Sequence, residues 1–311
     1  MPYKLYEITL TRPTKAVFAL TEALNIDRAK AQRLIDKGRV KLNGEKLAIK
    51  TEVEGALSAL VFYAKPSGLK PFFIASSFAV FEKPSGILTH PNGFDCDSTL
   101  LDDAKAIFGA KAQLCHRLDR ETSGLIVVSR DEKTEAAIKD QFASRLAKKT
   151  YLAFVRGAIK TKRLIDAPIA VGSKERNDKL GLPKVMGAIS FSQGKEARTL
   201  INPLRYFADL DATLIEAFPI GGRTHQIRLH LQHIGAPILG DALYGADVET
   251  ARSWLDKTLK RADRVAKTGA DRLMLHADSV EFFYGSRFFI KSRVDFDKAA
   301  LLRAVKTDVA R

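Results

Sequence analysis

Apolar residues in the first part of the chain recur at the three- and four-residue spacing of amphipathic helices. This spacing predicts one helix over residues 14–24 and a second over 28–37, the latter between an N-capping Asp27 and a terminating Gly38. Residues 40–47 then place an Asn-Gly pair between two short apolar runs, which is typical of a two-residue hairpin turn. We therefore expect a unit of two helices and a hairpin near the N-terminus.

The rest of the chain is dominated by short β-type runs, which lie at residues 78–83, 124–130, 150–157 and 212–218. Helical patterns fall between and after these runs without strict alternation. This order predicts an α+β fold rather than a parallel sheet of βαβ units.

Three helices are expected in this larger part. The first follows a capping box at Ser129–Glu132 and buries Ile138, Phe142 and Leu146, and the second covers residues 223–234. The third is an amphipathic stretch over residues 248–267. Its wheel places Val248 and Ala262 inward and Arg264 outward.

A linker is predicted over residues 64–75, where two prolines and a glycine separate patterned segments. The chain would then divide into an N-terminal domain over 1–63 and a larger domain over 76–311.

Charge narrows the classes of partner. The chain has 51 Lys and Arg against 36 Asp and Glu, which gives a net charge of +15 and a pI near 9.7. Such an excess favours a polyanion, but the number alone leaves RNA, DNA and an anionic membrane face open. No apolar run reaches the roughly 18 to 20 residues that span a bilayer, and the N-terminus lacks a signal-peptide pattern. We expect a soluble, cytoplasmic protein without a membrane partner, whose two cysteines, Cys96 and Cys115, are reduced.

Part of the charge is concentrated around the second predicted helix and its exit, at Arg28, Lys30, Arg33, Lys37 and Arg39. This face could track phosphates, or it could be an ordinary solvated helix face. The run RAKAQRLIDKGRVKLNG resembles the small alpha-L RNA-binding module that a small-subunit ribosomal protein and several RNA-modifying enzymes share. The resemblance covers residues 1–63 and implies that these five cations contact RNA.

Two polar clusters are candidates for chemistry. Residues 115–124 place Asp119 between Arg117 and Arg120, and nearby cations favour an ionised carboxylate. Asp119 could then act as a nucleophile or base, or it could merely pin the loop to an arginine. Residues 219–230 form a Gly-Gly turn entering a helix, which is a natural anion site.

Cofactor chemistry is not expected. The histidines of the second cluster lack carboxylate or thiolate companions at ligand spacing, so no metal site is predicted. Glycine-rich dinucleotide and phosphate-loop motifs are also missing from the sequence.

Taken in order, several motifs resemble the RluA-type pseudouridine synthases: EKPSGILTHP (82–91), HRLDRETSG (116–124), KTYLAFVRG (149–157), GKEART (194–199), GRTHQIRLHLQHIGAPILGDALYG (222–245) and LMLHA (273–277). The resemblance implies a catalytic domain with a mixed, largely antiparallel sheet and flanking helices. It also implies an enzyme that isomerises uridine in RNA to pseudouridine without a cofactor. We expect this enzyme to be a monomer. Large-subunit ribosomal RNA is the first expected substrate and tRNA the second; a non-catalytic RNA-binding or ribosome-assembly factor on the same fold is the rival reading.

The resemblance also assigns roles. Asp119 would act at the sugar, either attacking the anomeric carbon or assisting its deprotonation; Tyr151 would stack on the base and transfer protons; and Arg228 would pair with Asp119. Arg117 would hold the site of the flipped nucleotide open. Further RNA contacts are expected at Arg120, Thr122, Arg223, His225 and Gln226. The chain departs from the family pattern at Gly221, where threonine is usual, and at Phe283–Gly285, where a His-Pro pair is common.

Overall fold

The N-terminal part of the protein is a small sheet with two helices. The structure, a computed structural model, describes residues 3–47, 52–62, 66–91, 98–170 and 187–297. Within these ranges the sheet has the order β1-β4-β2-β3, and its pairings are antiparallel. The elements are β1 (Tyr3–Lys15), α1 (Ala16–Leu24), α2 (Arg28–Asp36), β2 (Val40–Leu42), β3 (Glu45–Lys46) and β4 (Glu52–Phe62).

Local sequence explains most of this unit. The Asp27 carboxylate accepts a hydrogen bond from the Lys30 N–H and caps α2, as predicted. Leu20, Ala31 and Leu57 meet in a core formed by residues of this unit. The expectation that the first helix begins at residue 14 was wrong, because β1 continues to Lys15. Pro13, which cannot donate to a sheet ladder, lies where the β1–β4 register shifts between Leu10 and Thr14.

A larger mixed sheet forms the rest of the described structure. Its strands are β5 (Pro71–Ile74), β6 (Phe78–Lys83), β7 (Gln113–Leu114), β8 (Ser123–Ser129), β9 (Lys148–Arg156), β10 (Arg163–Asp166), β13 (Arg198–Phe207), β14 (Ala212–Ile220), β15 (Leu275–Tyr284) and β16 (Ser286–Lys291), while β11 (Ile169–Ala170) pairs with β12 (Ala188–Ile189) apart from it. The helices are α3 (Leu100–Phe108), α4 (Glu132–Ala143), α5 (Gln226–His233), α6 (Val248–Leu255) and α7 (Arg261–Thr268).

The main path of the sheet is β10-β13-β14-β9-β15-β8-β6-β5, with β16 on β15 and β7 on β8. Among the described strands, β8 and β15 pair in parallel and the other pairings of this sheet are antiparallel. The predicted α+β class and the mixed, largely antiparallel sheet are therefore confirmed.

The centre of the sheet is buried on both faces. Along β8, Ile126 and Val128 enter one apolar cluster, whereas Leu125 and Val127 enter the cluster on the opposite face. Gly124, the second residue of this strand, has φ +112°, and a Cβ atom there would clash with the carbonyl oxygen of Ala277. Glycine at this position lets β8 approach β15 directly after the HRLDRETSG loop.

Several element boundaries differ from expectation. Pro71–Ile74, assigned to the linker, is a strand paired with β6. Helix α4 is capped by Asp131 rather than by Ser129, and it ends at Ala143, so that Leu146 is 70% exposed.

The single helix expected over 248–267 is two helices. Lys257 adopts φ +60°, and the N–H groups of Thr258 and Leu259 both donate to the Ser253 carbonyl, which closes α6 before α7 starts. As a result Val248 and Ala262 are exposed and Arg264 is buried, which reverses the predicted faces at these positions.

The predictions about the two cysteines and about membrane spans can be compared with the described residues. Cys115 is buried and free of a disulfide, and Cys96 lies outside the described residues. No helix in the described ranges combines the length and apolar character needed to cross a bilayer.

Candidate active site

The HRLDRETSG loop, residues 116–124, is held by the turn that follows β6. The buried amino group of Lys83 donates to the carbonyls of Pro84, Ile87 and Arg120. The hydroxyls of Ser85 and Thr89 donate to the Glu121 and Leu118 carbonyls at 2.7 and 2.6 Å. Burial lowers the pKa of Lys83 to about 7, although Asp119 and Glu121 oppose the shift. These contacts fix the backbone on both sides of Asp119.

The Asp119 side chain is 22% exposed and lies near two basic side chains. Its Oδ2 is 3.7 Å from Arg228 Nη1 and 3.8 Å from His225 Nε2. Burial and the Arg228 charge lower the pKa of His225 to about 4, so this imidazole is neutral near pH 7. Arg228 is therefore the charged partner of Asp119.

Arg228 is bound most closely by Asp241, which was not identified from the sequence. Nε and Nη2 of Arg228 each donate to a carboxylate oxygen of Asp241 at 2.7 Å, which is the bidentate geometry. The guanidinium also lies 4.9 Å from the centre of the Tyr244 ring. Burial lowers the pKa of Arg228, but Asp241 and Asp119 outweigh burial and hold this pKa above its ordinary value. The predicted pairing of Arg228 with Asp119 is present at 3.7 Å, and Asp241 is the second and closer anion that the sequence did not reveal.

The strand register of the sheet places Tyr151 near the loop that carries Asp119. On β9 it pairs with Ala277 of β15, and Ala277 pairs with Gly124 of β8, five residues after Asp119. Tyr151 is 6% exposed. Burial and the Asp119 charge raise the pKa of its phenol, so the hydroxyl keeps its proton at neutral pH and can donate it.

Asp119, Tyr151 and Arg228 line one cavity of about 420 Å³. Further cationic side chains line it at Arg117, Lys139, Arg145, Lys149 and Arg223, while Asp119 and Glu196 are the acidic lining residues in the described part of the chain. The cavity therefore suits an anionic substrate. Lys149 was not singled out from the sequence. Its amino group lies 5.3 Å from the Phe142 ring centre, and burial lowers its pKa to about 8.

The residues predicted to contact RNA fall into three groups. Arg117, Thr122, Arg223, His225 and Gln226 line the cavity. Arg120 is exposed, is not among the lining residues, and donates to the Gly86 carbonyl. The five N-terminal cations lie in the first sheet unit, where Arg28, Lys30, Arg33 and Lys37 are exposed and Arg39 is half-buried.

The helix after the Gly-Gly turn begins three residues later than predicted. Helix α5 begins at Gln226, with His225 as its N-cap at φ +57°. The Gln226 side chain accepts from the Arg223 N–H and donates to the Arg198 carbonyl, so its amide is engaged within the protein. Gln226 thus holds the turn in place, and RNA contact by this residue stays a prediction.

This chain is similar to known proteins along most of its length. Residues 77–233 match the RNA pseudouridylate synthase family. An uncharacterized RNA pseudouridine synthase of Helicobacter pylori J99 is 37% identical over 293 residues, which cover 94% of this chain and 96% of the relative. A ribosomal large subunit pseudouridine synthase D of Xanthomonas campestris is 30% identical and covers 75% of this chain and 68% of its own length.

A yeast relative and a solved structure add to the comparison. A tRNA pseudouridine(31) synthase of Saccharomyces cerevisiae is 35% identical over 57% of this chain and 46% of its own length. The structure of human RNA Pseudouridylate Synthase Domain Containing 1 has the same fold, with a TM-score of 0.57 at 23% identity over 75% of this chain and 86% of that one. Because the family match covers half of the chain and a relative aligns along nearly all of it, this protein belongs to the RNA pseudouridine synthase family and is an isomerase.

Proposed function

We propose that this enzyme isomerises specific uridines of large-subunit ribosomal RNA, with Asp119 as the group that acts at the sugar. The observation that carries the proposal is the meeting of Asp119, Arg228 and Tyr151 in one cation-lined cavity. The Xanthomonas campestris relative, named for the ribosomal large subunit, supports this choice of RNA and aligns with 75% of the chain. The yeast relative named for tRNA aligns with 57%, and tRNA is therefore the second candidate.

The reaction breaks the bond between N1 of uracil and C1′ of ribose and joins C5 of the same base to C1′. The proton on C5 is lost and N1 gains one, so the product is an isomer of the substrate and no external redox agent is consumed. Asp119 acts on the sugar, either as a nucleophile at C1′ or by assisting deprotonation, while Arg228 keeps a positive charge beside it. Tyr151 stacks on the base and passes protons to and from it.

A uridine inside an RNA stem must leave its stack to reach Asp119. The cavity of about 420 Å³ accepts one nucleotide. Arg117 is exposed and lines the cavity, so its side chain can extend toward the RNA and fill the gap that the flipped base leaves in the stem. Lys149 and Arg223, which line the same cavity, suit the phosphates that flank this nucleotide.

Comparing pseudouridine maps of total RNA from cells with the gene, without it, and with an Asp119→Asn copy tests the function. We expect one or more sites in large-subunit ribosomal RNA to disappear in the last two strains. Loss confined to tRNA would favour the second candidate. Identical maps in all three strains would contradict the proposed function.

Tyr151→Phe removes the one hydroxyl that we assign to proton transfer and keeps the ring. We expect the single-turnover rate to fall about 10²–10⁴-fold, the usual contribution of a general acid or base, while RNA affinity stays within a few-fold. Release of tritium from RNA labelled at uridine C5 measures the rate. Tyr206→Phe is the matched control, since Tyr206 is exposed and donates to Asp211 outside the cavity. A wild-type rate in Tyr151→Phe would reduce this residue to a stacking surface.

We further propose that the N-terminal unit is an alpha-L type module that binds RNA through α2. Arg28, Lys30 and Arg33 are exposed on this helix, and none of them forms a salt bridge to another residue in the ranges that the structure describes. Exposed cations that form no salt bridge within the protein leave their charge available to phosphates.

The triple variant Arg28→Gln, Lys30→Gln, Arg33→Gln should weaken RNA binding and flatten its salt dependence. Each lost phosphate contact lowers the slope of log K against log salt by about 0.7, hence by about 2 for three contacts. The triple variant Lys160→Gln, Lys162→Gln, Arg163→Gln removes the same charge from exposed positions at the start of β10 and in the loop before it, and serves as control. An equal slope for the N-terminal variant and wild type would place the phosphate contacts elsewhere.

A further inference from the structure

Helix α7 carries a buried arginine that contacts two loops of the active site. Arg264 of α7 is 5% exposed, although its helical pattern predicts a solvent-facing position. A buried guanidinium is costly unless charges and hydrogen bonds compensate it. The partners of Arg264 therefore indicate why the chain keeps an arginine there.

The first partner belongs to the catalytic loop. Arg264 Nη2 lies 2.8 Å from Glu121 Oε1, and Glu121, at 8% exposure, is also buried. Burial raises the pKa of Glu121, while Arg264 and Arg228 oppose that shift. Glu121 stands two residues after Asp119, so its position along the backbone constrains the aspartate.

The second partner belongs to the loop that holds Arg228. Nε of Arg264 donates to the Gly240 carbonyl at 3.1 Å, and Nη2 donates to the same oxygen. The Gly240 N–H in turn donates to the Thr268 carbonyl at the end of α7. Gly240 immediately precedes Asp241, the bidentate partner of Arg228.

A closed circuit results. It runs from Asp119 along the backbone to Glu121, across Arg264 to Gly240, along the backbone to Asp241, and through Arg228 back to Asp119. We propose that Arg264 is a positioning residue that sets the separation of Asp119 and Arg228 by joining the two loops that carry them. The Trp254 ring of α6 lies 4.3 Å from the Arg264 guanidinium and adds a cation–π contact.

A ligand site in the same region fits the contacts less well. A second cavity of about 630 Å³ is lined by Arg264, Trp254, Lys83 and Arg261, among others. Its lysine and arginines already have partners within the protein. Lys83 donates to three carbonyls, and Arg272 donates to the Ser123 hydroxyl and the Leu273 carbonyl. Arg261 and Arg264 pair with Asp271 and Glu121. These cations are thus engaged by groups of the protein itself. This favours a positioning role for Arg264 over an anion-binding site in this cavity.

Arg264→Gln tests the positioning role, which rests on the proposed function. A misplacement of about 1 Å at reacting groups costs on the order of 10²-fold in rate, so we expect a 10- to 100-fold lower single-turnover rate. RNA affinity should stay within two-fold, because Arg264 is buried and not among the residues that line the 420 Å³ cavity. Arg264→Lys keeps the charge but loses the planar fork, and should restore part of the rate. The substrate is a transcript of the mapped RNA labelled with tritium at uridine C5.

Three further variants test the link between Glu121 and Arg264. Glu121→Gln should lower the rate on its own, and the double variant with Arg264→Gln should be no slower than the slower single variant, because both break one link. Arg261→Gln is the matched control. Arg261 lies on the same helix, and its side chain is exposed although it pairs with Asp271. It should retain the wild-type rate.

Three outcomes would overturn the inference. These are a wild-type rate in Arg264→Gln, rate losses that simply multiply in the double variant, and a loss that matches the unfolded fraction measured by circular dichroism. If Arg264→Gln does not fold, Trp254→Leu replaces it, with an expected smaller fall in rate at unchanged affinity. If the wild-type protein is active and Arg264→Gln has the same rate, only the positioning role is contradicted. If the wild-type protein is inactive on every RNA, the proposed function is contradicted as well.

Discussion

We expect Asp119→Asn to lower the single-turnover rate of pseudouridine formation by roughly 10⁴-fold or more, the order seen when a nucleophilic group is removed from an active site. The amide has nearly the shape of the carboxylate, so the loop contacts made by Lys83, Ser85 and Thr89 should persist. What disappears is the negative charge beside Arg228 and the oxygen that acts on the sugar. RNA affinity should change by no more than a few-fold.

The measurement is tritium release at saturating enzyme, together with RNA binding by filter retention. Asp211→Asn is the control, since Asp211 is exposed and lies outside the cavity lining. Catalysis that survives in Asp119→Asn within ten-fold of wild type would exclude Asp119 as the reacting group.

Arg228→Met carries the second large expected effect, on stability and activity together. Arg228 is 3% exposed and Asp241 is 1% exposed, so the substitution leaves a buried carboxylate without its cation. Breaking a buried pair in this way costs about 3–5 kcal/mol of unfolding free energy. Activity should fall to the level of Asp119→Asn, because the charge beside Asp119 is lost as well.

A second substitution separates the two effects. In the double variant Arg228→Met, Asp241→Asn the uncompensated charge is gone, and the amide oxygen can still accept from the N–H groups of Leu243 and Tyr244, as Oδ1 of Asp241 does. We expect about 1–3 kcal/mol of the lost stability to return in urea unfolding, with no return of activity. Recovery of activity would mean that Arg228 serves the fold and not the reaction.

Patterns within a short stretch of sequence were sufficient for part of this structure. The cap at Asp27, the strand at β8 and the α+β class follow from neighbouring residues, and all agree with the structure. The resemblance to RluA-type enzymes singled out Asp119, Tyr151 and Arg228, and the structure brings these three residues to one cavity. Their roles remain predictions that the variants above test.

Features that depend on distant partners were missed. Asp241 and Arg264 look like ordinary charged residues in the sequence, because their partners are defined only once the loops meet. A helical wheel places a cation on the solvent side by default. The residues near Arg264 in the sequence do not indicate that Glu121 is its partner. Strands β1 and β4 escaped prediction for the same reason: they pair across the two helices and the hairpin between them.

The parallel pairing of β8 with β15 has a consequence for the order of folding. Ser123 and His276, which face each other in this pair, are 153 residues apart in the chain. Closing so long a loop is slow compared with forming the hairpins at either side of it. On a translating ribosome, the strand next to the catalytic loop therefore cannot gain its central neighbour until most of the protein has been synthesised. Catalytic competence should arise late and abruptly, so that incomplete chains ending before β15 are unable to modify RNA.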